Sequence, residues 1–350
     1  DAADSTTSIA VENDAQSENI QSLRKTILSE IPDLAAPRQN KLLKLSFTLL
    51  HKQGRGGDVE REGIHLASGG ADEPNTPEPL TKPDQLFPVN NLFSNIVLAQ
   101  PQLKGKGLGV LVHTVLENAL ANPHVASDPE GTLRRCIPSN LPPECTQDLL
   151  HALLLVRKHP MPLAADAPPC RLMDLTHKLS ELQFLLPFER EELRTKQLQL
   201  ALSRPDIARE TLWNLWAERF SSLNELSVHF LEGVIDLIFQ YEGKWYVLDY
   251  KTNGGCGAGT QQDLEKIMLR EDYILQSYLY TLAWHRRLQA SLGETYDYAR
   301  DFGGIVYLFL RALPADPVPG DTRGLWLHKP DLQQLAHLEQ LTTGPKQIAV

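Results

Sequence analysis

The stretch Gly233–Asn253, which reads GVIDLIFQYEGKWYVLDYKTN, decides the fold of this chain. Two apolar runs, Val234–Phe239 and Trp245–Tyr250, flank a short polar break that contains Gly243. Both runs are rich in β-branched and aromatic residues, which favour strands. The sequence therefore predicts a β-hairpin, and its shortest loop is the pair Glu242-Gly243.

This loop fixes the register of the hairpin and brings charged side chains together. Counting back along both arms places Asp236 opposite Asp249. Directly opposed residues share a face of the sheet, with Cβ atoms roughly 4.5–5.5 Å apart. Lys251 lies on the same face because strand side chains alternate with a period of two. Two carboxylates and a lysine are therefore predicted to meet on an otherwise apolar hairpin.

Two explanations of this charged patch remain open at this point. Buried carboxylates are costly unless something neutralises them, and a divalent cation such as Mg²⁺ would do so. The alternative is a surface hairpin on which Lys251 simply screens its acidic neighbours.

Composition narrows the class of protein. The chain has 350 residues, of which 42% are hydrophobic and 22% charged, as in an ordinary globular protein with a buried core. No apolar run approaches the roughly 18–20 residues of a membrane span, and the N-terminal segment lacks the pattern of a signal peptide. The formal net charge of −10 argues against bulk electrostatic binding of nucleic acid.

The sequence argues against two kinds of cofactor site, a cysteine-bound metal site and a P-loop nucleotide site. The four cysteines, Cys136, Cys145, Cys170 and Cys256, show no C-x-x-C pattern, so no zinc or iron–sulfur site is predicted. We expect free thiols in a reducing cytosol. The chain also lacks the G-x-x-x-x-G-K-[ST] motif of P-loop nucleotide hydrolases.

Residues 1–100 are predicted to form a linker and a partly disordered N-terminal extension. Asn19–Ile31 has the spacing of a short amphipathic helix, and Lys41–His51 is apolar enough for a strand or a buried helix. Gln53–Asp84 is dominated by Gly, Asp, Glu, Pro and Thr, which is typical of a flexible loop. A folded domain is predicted from residue 101 to about residue 345.

A second group of polar residues lies on a helix predicted at Leu108–Leu120. Gly109, His113 and Glu117 follow one another at intervals of four and form one stripe on that helix. His113 and Glu117 can therefore reach a common point. The alternative is a core histidine that is hydrogen-bonded to a glutamate.

The remaining pattern predicts an α/β or α+β domain with a mixed sheet. Gln276 and Tyr280 lie one turn apart on a long helix that is predicted to run from about Gln261 or Asp272 to Gln289. Glu181 and Gln183 share one side of a strand near Leu182–Phe188. Other predicted elements are helices at Thr146–Lys158, Glu189–Ser222 and Asp331–Leu341 and a buried strand at Phe302–Arg311.

Four motifs occur in a fixed order along the chain: G-x-x-x-H at Gly109–His113, G-x-x-D at Gly233–Asp236, D-Y-K at Asp249–Lys251 and Q-x-x-x-Y at Gln276–Tyr280. With these motifs and the run FGGIVYLFLR at Phe302–Arg311, the chain resembles the C-terminal nuclease domain of RecB subunits of bacterial RecBCD (exodeoxyribonuclease V). Those domains are members of the PD-(D/E)xK nuclease superfamily. The resemblance covers residues 100–335 and is strongest from 233 to 311.

The resemblance implies both a fold and an activity. The fold is an α/β, restriction-endonuclease-like core with a mixed central sheet flanked by helices, over residues 101–345. The activity is metal-dependent cleavage of DNA phosphodiesters, preferably in single strands and without sequence specificity, in DNA repair and recombination. The implied partners are single- or double-stranded DNA, RecC-like and RecD-like subunits and the helicase part of a longer chain, in the bacterial cytoplasm without a membrane.

The resemblance also implies a metal site. His113, Asp236, Asp249 and the carbonyl of Tyr250 would bind Mg²⁺. Because a nitrogen ligand is softer than Mg²⁺ prefers, Mn²⁺ is an alternative ion.

The same resemblance assigns catalytic roles to Lys251, Gln276 and Tyr280 beside Asp236 and Asp249. Lys251 would orient a water or neutralise the transition state, and Gln276 and Tyr280 would position the phosphate or Lys251.

Several assignments stay open. Glu117 and Glu181 are expected to support His113 or a metal-bound water, with ordinary salt-bridge roles as the alternative. Gln183 stands where the family has a second acidic residue, and the role of the loop Gly254–Gly259 is undetermined. The alternative function is a catalytically inactive nuclease fold that serves as a docking or DNA-steering module. Superfamily exonucleases with a four-cysteine iron–sulfur cluster are disfavoured by the cysteine spacing.

Overall fold

A computed structural model describes the backbone of residues 44–46 and residues 92–93, 95–104, 106–125, 127–187, 192–193, 195–218, 226–227 and 230–342. The predicted helix Asn19–Ile31 and the predicted loop Gln53–Asp84 lie outside the described residues. Within the described part of the chain, no helix combines the length and apolar character needed to cross a membrane.

The centre of the fold is a mixed sheet of six strands in the order β1-β5-β6-β7-β8, with β2 on the other side of β5. The pairs β6–β7 and β1–β5 are parallel, and β2–β5, β5–β6 and β7–β8 are antiparallel. A separate pair is formed by β3 and β4. The strands are β1 (Lys44–Ser46), β2 (Lys178–Pro187), β3 (Glu192–Leu193), β4 (Leu226–Ser227), β5 (Phe230–Tyr241), β6 (Lys244–Lys251), β7 (Phe302–Phe309) and β8 (Leu325–His328).

Helices cover both faces of this sheet, as the α/β prediction requires. They are α1 (Asn95–Leu98), α2 (Lys106–Ala121), α3 (Pro129–Cys136), α4 (Pro143–Lys158), α5 (Thr195–Leu202), α6 (Leu212–Glu218), α7 (Gln261–Arg270), α8 (Tyr273–Leu292), α9 (Tyr298–Asp301) and α10 (Leu332–Thr342). One apolar core joins α1–α4 to Leu237 and Leu248. The other core joins α5–α8 and α10 to Ile238 and Val247.

The hairpin has the predicted register. The β5–β6 ladder runs from Tyr241↔Lys244 to Leu237↔Leu248, so Asp236 and Asp249 occupy the next position on each strand. Glu242 and Gly243 have φ values of 48° and 73°. Two positive φ values are what a type I′ hairpin turn requires. The two-residue loop is confirmed.

Strand β5 changes neighbours at the level of Asp236. On one side it pairs with β6 from Tyr241 to Leu237, and with β1 from Glu232 to Phe230. Because β2 pairs with the opposite side of β5 over both stretches, β1 occupies the position that β6 has left. Residues before 101 thus contribute a strand to the main sheet, and Leu92, Phe93 and Val97 join the core around α2. The division at residue 100 stays a prediction.

Two helix predictions differ from the structure. The helix expected over Glu189–Ser222 is wrong, because the described part of this range contains β3, α5 and α6 with residues 203–211 between the two helices. Pro205 follows the end of α5, and proline disfavours helix in the residue before it. For the long helix that ends near Gln289, the alternative start at Gln261 is wrong, because Gln261–Arg270 is a separate helix, α7. The start near Asp272 agrees with α8, which begins at Tyr273 after Asp272, a residue with a φ of 59°.

Candidate metal and catalytic site

The site begins with a shared irregularity in β2 and β5. Ile235 and Ile238 pack into the same core although regular alternation would send them to opposite faces. In β2, Glu181 has a φ of 51° and faces Asp236 in the register, between Ser180↔Leu237 and Leu182↔Ile235. The local change of conformation turns Glu181 and Asp236 toward helix α2.

His113 on α2 connects the helix to both hairpin strands. Its Nδ1 lies 3.2 Å from Asp236 Oδ1, and its Nε2 lies 3.0 Å from the carbonyl oxygen of Tyr250. A carbonyl only accepts hydrogen bonds, so Nε2 must donate. In the neutral imidazole, Nδ1 then presents a lone pair to a carboxylate. A proton or a cation between the two atoms is needed to make that contact favourable.

Glu181 completes a group of three candidate ligands. Ligand atoms of His113, Glu181 and Asp236 all lie within 4.8 Å of one another. Burial and the neighbouring charges of Asp236 and Glu117 raise the pKa of Glu181 to about 8. Negative charge is therefore in excess here, and oxygen and imidazole donors together suit Mg²⁺ or Mn²⁺. The donor set fits a divalent cation.

Asp249 makes an ion pair beside this group. Its Oδ2 lies 2.7 Å from Lys251 Nζ, and each side chain is only 2% exposed. Burial raises the pKa of Asp249, while the charge of Lys251 opposes that rise. The β5–β6 ladder ends one position before Asp236 and Asp249, and the two carboxylates make different contacts. Asp236 faces His113, whereas Asp249 pairs with Lys251 on the side of α8. The assignment of Asp249 and the Tyr250 carbonyl as metal ligands stays a prediction.

The backbone of Tyr250 ties the two parts of the site together. Its N–H donates to Asp236 Oδ2 at 2.7 Å, and its carbonyl accepts from His113. The Tyr250 ring packs edge-on against the His113 ring, with the centroids 5.8 Å apart. The residue between Asp249 and Lys251 therefore fixes the position of the D-Y-K motif relative to α2.

Gln276 and Tyr280 form the third part of the site, on α8. Gln276 Nε2 donates to the Tyr280 hydroxyl at 3.0 Å, and both side chains are buried. The hydroxyl of Tyr307 on β7 donates to Gln276 Oε1 at 3.0 Å. The one-turn spacing in the sequence therefore corresponds to a direct contact.

These features lie at the carboxyl ends of the parallel strands β6 and β7, where open α/β sheets usually bind ligands. A family model for the PD-(D/E)XK nuclease superfamily matches residues 95–344, which is more than half of the chain. The chain belongs to the PD-(D/E)XK nuclease superfamily.

Relatives identify the branch of the superfamily. The nuclease domain is 43% identical over 112 residues to the RecBCD enzyme subunit RecB of Haemophilus influenzae, a match that covers 31% of this chain and 9% of the relative. It is 38% identical over 117 residues to RecB of Escherichia coli, covering 33% and 10%. A longer match to RecB of Mycobacterium tuberculosis is 29% identical over 320 residues, covering 82% and 26%.

The matches confirm that this is a RecB-like nuclease domain. The chain spans only a small part of these relatives, because the matched segments cover between 9% and 26% of their length. The activity and partners of a whole RecB therefore do not transfer to this chain directly.

Gly233 of the G-x-x-D motif has a packing role in the nuclease domain. A Cβ at this position would lie 2.6 Å from Phe184 Cζ and 3.4 Å from Tyr280 Cε1. The Phe184 and Tyr280 rings meet edge-on with centroids 5.7 Å apart. The absence of a side chain at Gly233 therefore lets two rings pack against β5 and hold Tyr280 in place.

The sequence did not predict that two tyrosines, Tyr273 and Tyr307, lie beside Lys251. Lys251 Nζ lies 4.1 Å from the ring centroid of Tyr273 and 5.6 Å from that of Tyr307. A signal for Tyr273 was available, since it precedes Gln276 by three residues and so shares its helical face. Tyr307 is Asp249's partner in the β6–β7 ladder, which the sequence alone does not reveal.

Proposed function

We propose that this chain is a metal-dependent DNA nuclease domain of the exodeoxyribonuclease V type, which hydrolyses DNA phosphodiesters without sequence specificity and prefers single strands. One observation carries the proposal. The group of His113, Glu181 and Asp236 is joined through the backbone of Tyr250 to the buried ion pair of Asp249 and Lys251. Together these groups supply cation ligands and a positive charge, which a phosphodiester hydrolase needs in one place.

Mg²⁺ is the proposed ion, and Mn²⁺ is the alternative because the imidazole is a softer donor. His113, Glu181 and Asp236 would hold it. Asp249 and the carbonyl of Tyr250 are further proposed ligands, since the carbonyl contacts His113 and Asp249 directly precedes Tyr250 on β6. When bound, the ion would supply Lewis acidity beside the scissile phosphate and lower the pKa of a water.

The protein's own residues would direct the reaction. Lys251 is proposed to donate to a phosphate oxygen or to the attacking water, with Asp249 holding its ammonium group in place. Burial strengthens such charged interactions because it excludes bulk water from the site. Gln276 and Tyr280 are proposed to position the phosphate or Lys251 from α8.

Substrate binding would depend on phosphate contacts, which carry no sequence information. The net charge of −10 predicts weak DNA affinity for the chain by itself. Because the relatives are named as RecB subunits of a RecBCD enzyme, we propose RecC-like and RecD-like partners and a helicase that delivers single strands to this domain. The proposed setting is DNA repair and recombination in the bacterial cytoplasm.

The rival is a catalytically inactive nuclease fold that docks partners or steers DNA. Such a module needs the sheet and its helices but no buried lysine that is paired with a buried carboxylate. Keeping those charges out of water is costly. Their presence favours a working nuclease.

Substitution of the D-Y-K motif tests the mechanism. Asp249→Ala and Lys251→Ala should each lower Mg²⁺-dependent degradation of single-stranded DNA by at least about 100-fold. This is the typical effect of losing one group that stabilises charge in the transition state, and Asp249 holds that group, Lys251, in place. Lys329→Ala is the matched control, because Lys329 is a partly buried lysine near Phe302, at the other end of β7. Thermal melts check folding. Undiminished cleavage in either motif variant would remove that residue from the mechanism.

A further inference from the structure

The surroundings of Lys251 contain more than its acidic partner. The ammonium group lies against the face of the Tyr273 ring at 4.1 Å, and the Tyr307 ring is 5.6 Å away. The two rings are stacked with centroids 5.9 Å apart and an interplanar angle of 24°. Aromatic faces attract cations, most strongly where water is excluded, and Lys251 is only 2% exposed.

An aromatic face has one property that a second carboxylate would lack. A lysine ammonium has three N–H donors on a flexible four-carbon stem. The carboxylate of Asp249 takes up donor capacity, whereas a ring face attracts the charge as a whole. The ring can therefore restrict the direction of the stem without accepting one of the N–H groups as a hydrogen-bond donor.

Tyr307 has a second function through its hydroxyl. The hydroxyl lies 3.0 Å from Gln276 Oε1 and 3.2 Å from the carbonyl oxygen of Tyr273, both of which are acceptors. Gln276 in turn donates to Tyr280. The amide of Gln276 is therefore held from two sides by tyrosine hydroxyls, in a buried position where a lost hydrogen bond is costly.

We propose that Tyr273 and Tyr307 are positioning residues of the nuclease reaction, in which the Tyr273 ring holds the ammonium group of Lys251 and the Tyr307 hydroxyl holds the amide of Gln276. This inference rests on the proposed function. Neither tyrosine is assigned a contact with the reacting phosphate, and both act through a neighbouring residue.

The ring of Tyr273 is tested by comparing two substitutions in the 350-residue chain. Tyr273→Leu removes the ring and should lower kcat about 30-fold, which corresponds to ~2 kcal/mol for a desolvated cation–π contact at 1.36 kcal/mol per tenfold. KM for single-stranded DNA should change less than about twofold, because an interaction that acts only in the transition state lowers kcat alone. Tyr273→Phe keeps the ring and should restore most of the lost kcat.

The matched control is Tyr278→Leu. Tyr278 is a fully buried tyrosine of the same helix, but its hydroxyl donates to Gln334 and its ring faces His328. The same loss of core volume should leave kcat within about twofold. An equal fall in kcat for Tyr278→Leu, or a Tyr273→Phe variant as slow as Tyr273→Leu, would overturn the role of the ring.

A readout independent of activity separates this inference from the proposed function. In protein labelled with ¹³C-lysine, the Hε resonance of Lys251, assigned by its loss in Lys251→Arg, should be shifted upfield by the Tyr273 ring. Tyr273→Phe should keep that shift and Tyr273→Leu should abolish it. If the wild-type chain cleaves no DNA, the proposed function fails, and the resonance still decides the contact. An Hε resonance that is unchanged in Tyr273→Leu would overturn the contact.

The hydroxyl of Tyr307 is tested by a double-mutant cycle with Gln276. Tyr307→Phe keeps the ring and should lower kcat about fivefold, equivalent to ~1 kcal/mol for one buried hydrogen bond. In a background of Gln276→Leu the same substitution should have almost no further effect. Independent, additive losses in the double variant would show that Tyr307 does not act through Gln276.

Discussion

At the residue scale, the metal site depends on the two nitrogens of His113. One nitrogen is committed to the Tyr250 carbonyl, and the other faces Asp236 at 3.2 Å. The carbonyl thereby sets the tautomer, and Nδ1 becomes the natural ligand atom. Such fixing of a ligating imidazole by a carbonyl is common around bound metals.

His113→Ala should therefore raise the Mg²⁺ concentration that gives half the maximal cleavage rate. Losing only a hydrogen-bonded support of a ligand costs about 10–100-fold in metal affinity, so losing a ligand should cost at least tenfold. His124→Ala is the control, because His124 is exposed just beyond the end of the same helix. An unchanged Mg²⁺ titration for His113→Ala would remove His113 from the ligands.

Gly233→Ala should disturb the site through packing alone. The new Cβ would press on Phe184 and Tyr280 and should lower the free energy of unfolding by about 1–3 kcal/mol, with a lower kcat as Tyr280 moves. Phe184→Leu removes the atoms that the Cβ meets first, so the double variant should recover stability in urea unfolding. No recovery would mean that the Phe184 ring is not the cause.

The sequence predicted some residues of the candidate site and not others, for a physical reason. The positions of Asp236 and Asp249 on the two strands followed from the loop. Pairing rules hold only where strands are regular, so they did not predict that Asp236 turns toward α2 while Asp249 pairs with Lys251 on the side of α8. Glu181 was expected only in a supporting role, because alternation gives no sign of the left-handed conformation that turns it toward His113. Tyr307 lies within a continuous apolar run, where a tyrosine that contacts a lysine looks like any other core residue.

At the element scale, local signals predicted some boundaries and not others. Gly243 marked the hairpin loop, and Pro205 was a visible reason for α5 to end nearby. The break between α7 and α8 has a tertiary cause, since Asp272 accepts a hydrogen bond from the indole N–H of Trp216 at 2.7 Å. A contact between residues 56 positions apart leaves no local pattern.

Strand β8 carries a titratable group, His328, that is partly buried among aromatic rings. The His328 ring lies among the rings of Trp213, Tyr278 and Trp326, with centroids 5.2–5.8 Å away. Burial, with a smaller effect of the Arg204 charge, lowers the pKa of His328 to about 4. The folded protein therefore favours the neutral His328 ring. The free energy of unfolding is highest above the pKa that His328 has in the unfolded chain, about 6.5, and it falls as the pH drops from there toward 4.

His328→Phe should make stability less dependent on pH. Between pH 7.5 and pH 5, protonation of His328 in the unfolded chain should remove at most about 2 kcal/mol of wild-type stability, and Phe has no such loss. Urea unfolding at the two pH values measures the difference, with His151→Phe as an exposed control on α4. An identical pH dependence in wild type and His328→Phe would show that His328 does not contribute.

At the scale of the whole molecule, the sheet separates two cores and the site lies where elements of both meet. His113 comes from the core around α2, whereas Gln276 and Tyr280 come from the core around α8. The order of motifs predicted this assembly because it reports the family fold. A strand was one of the two predictions for Lys41–His51, and β1 lies within that range. Its pairing with β5 was not predicted, because contact with residues far along the chain leaves no local pattern.

The central claim is that this assembly is a working, metal-dependent nuclease and not an inactive module. The direct measurement is the degradation of circular and linear single-stranded DNA by the 350-residue chain, with Mg²⁺ and with EDTA. We expect loss of single-stranded DNA in Mg²⁺ and none in EDTA, and cleavage of the circle would reveal endonuclease action. A folded chain that leaves both DNAs intact at every Mg²⁺ and Mn²⁺ concentration would show that the domain is not a working nuclease.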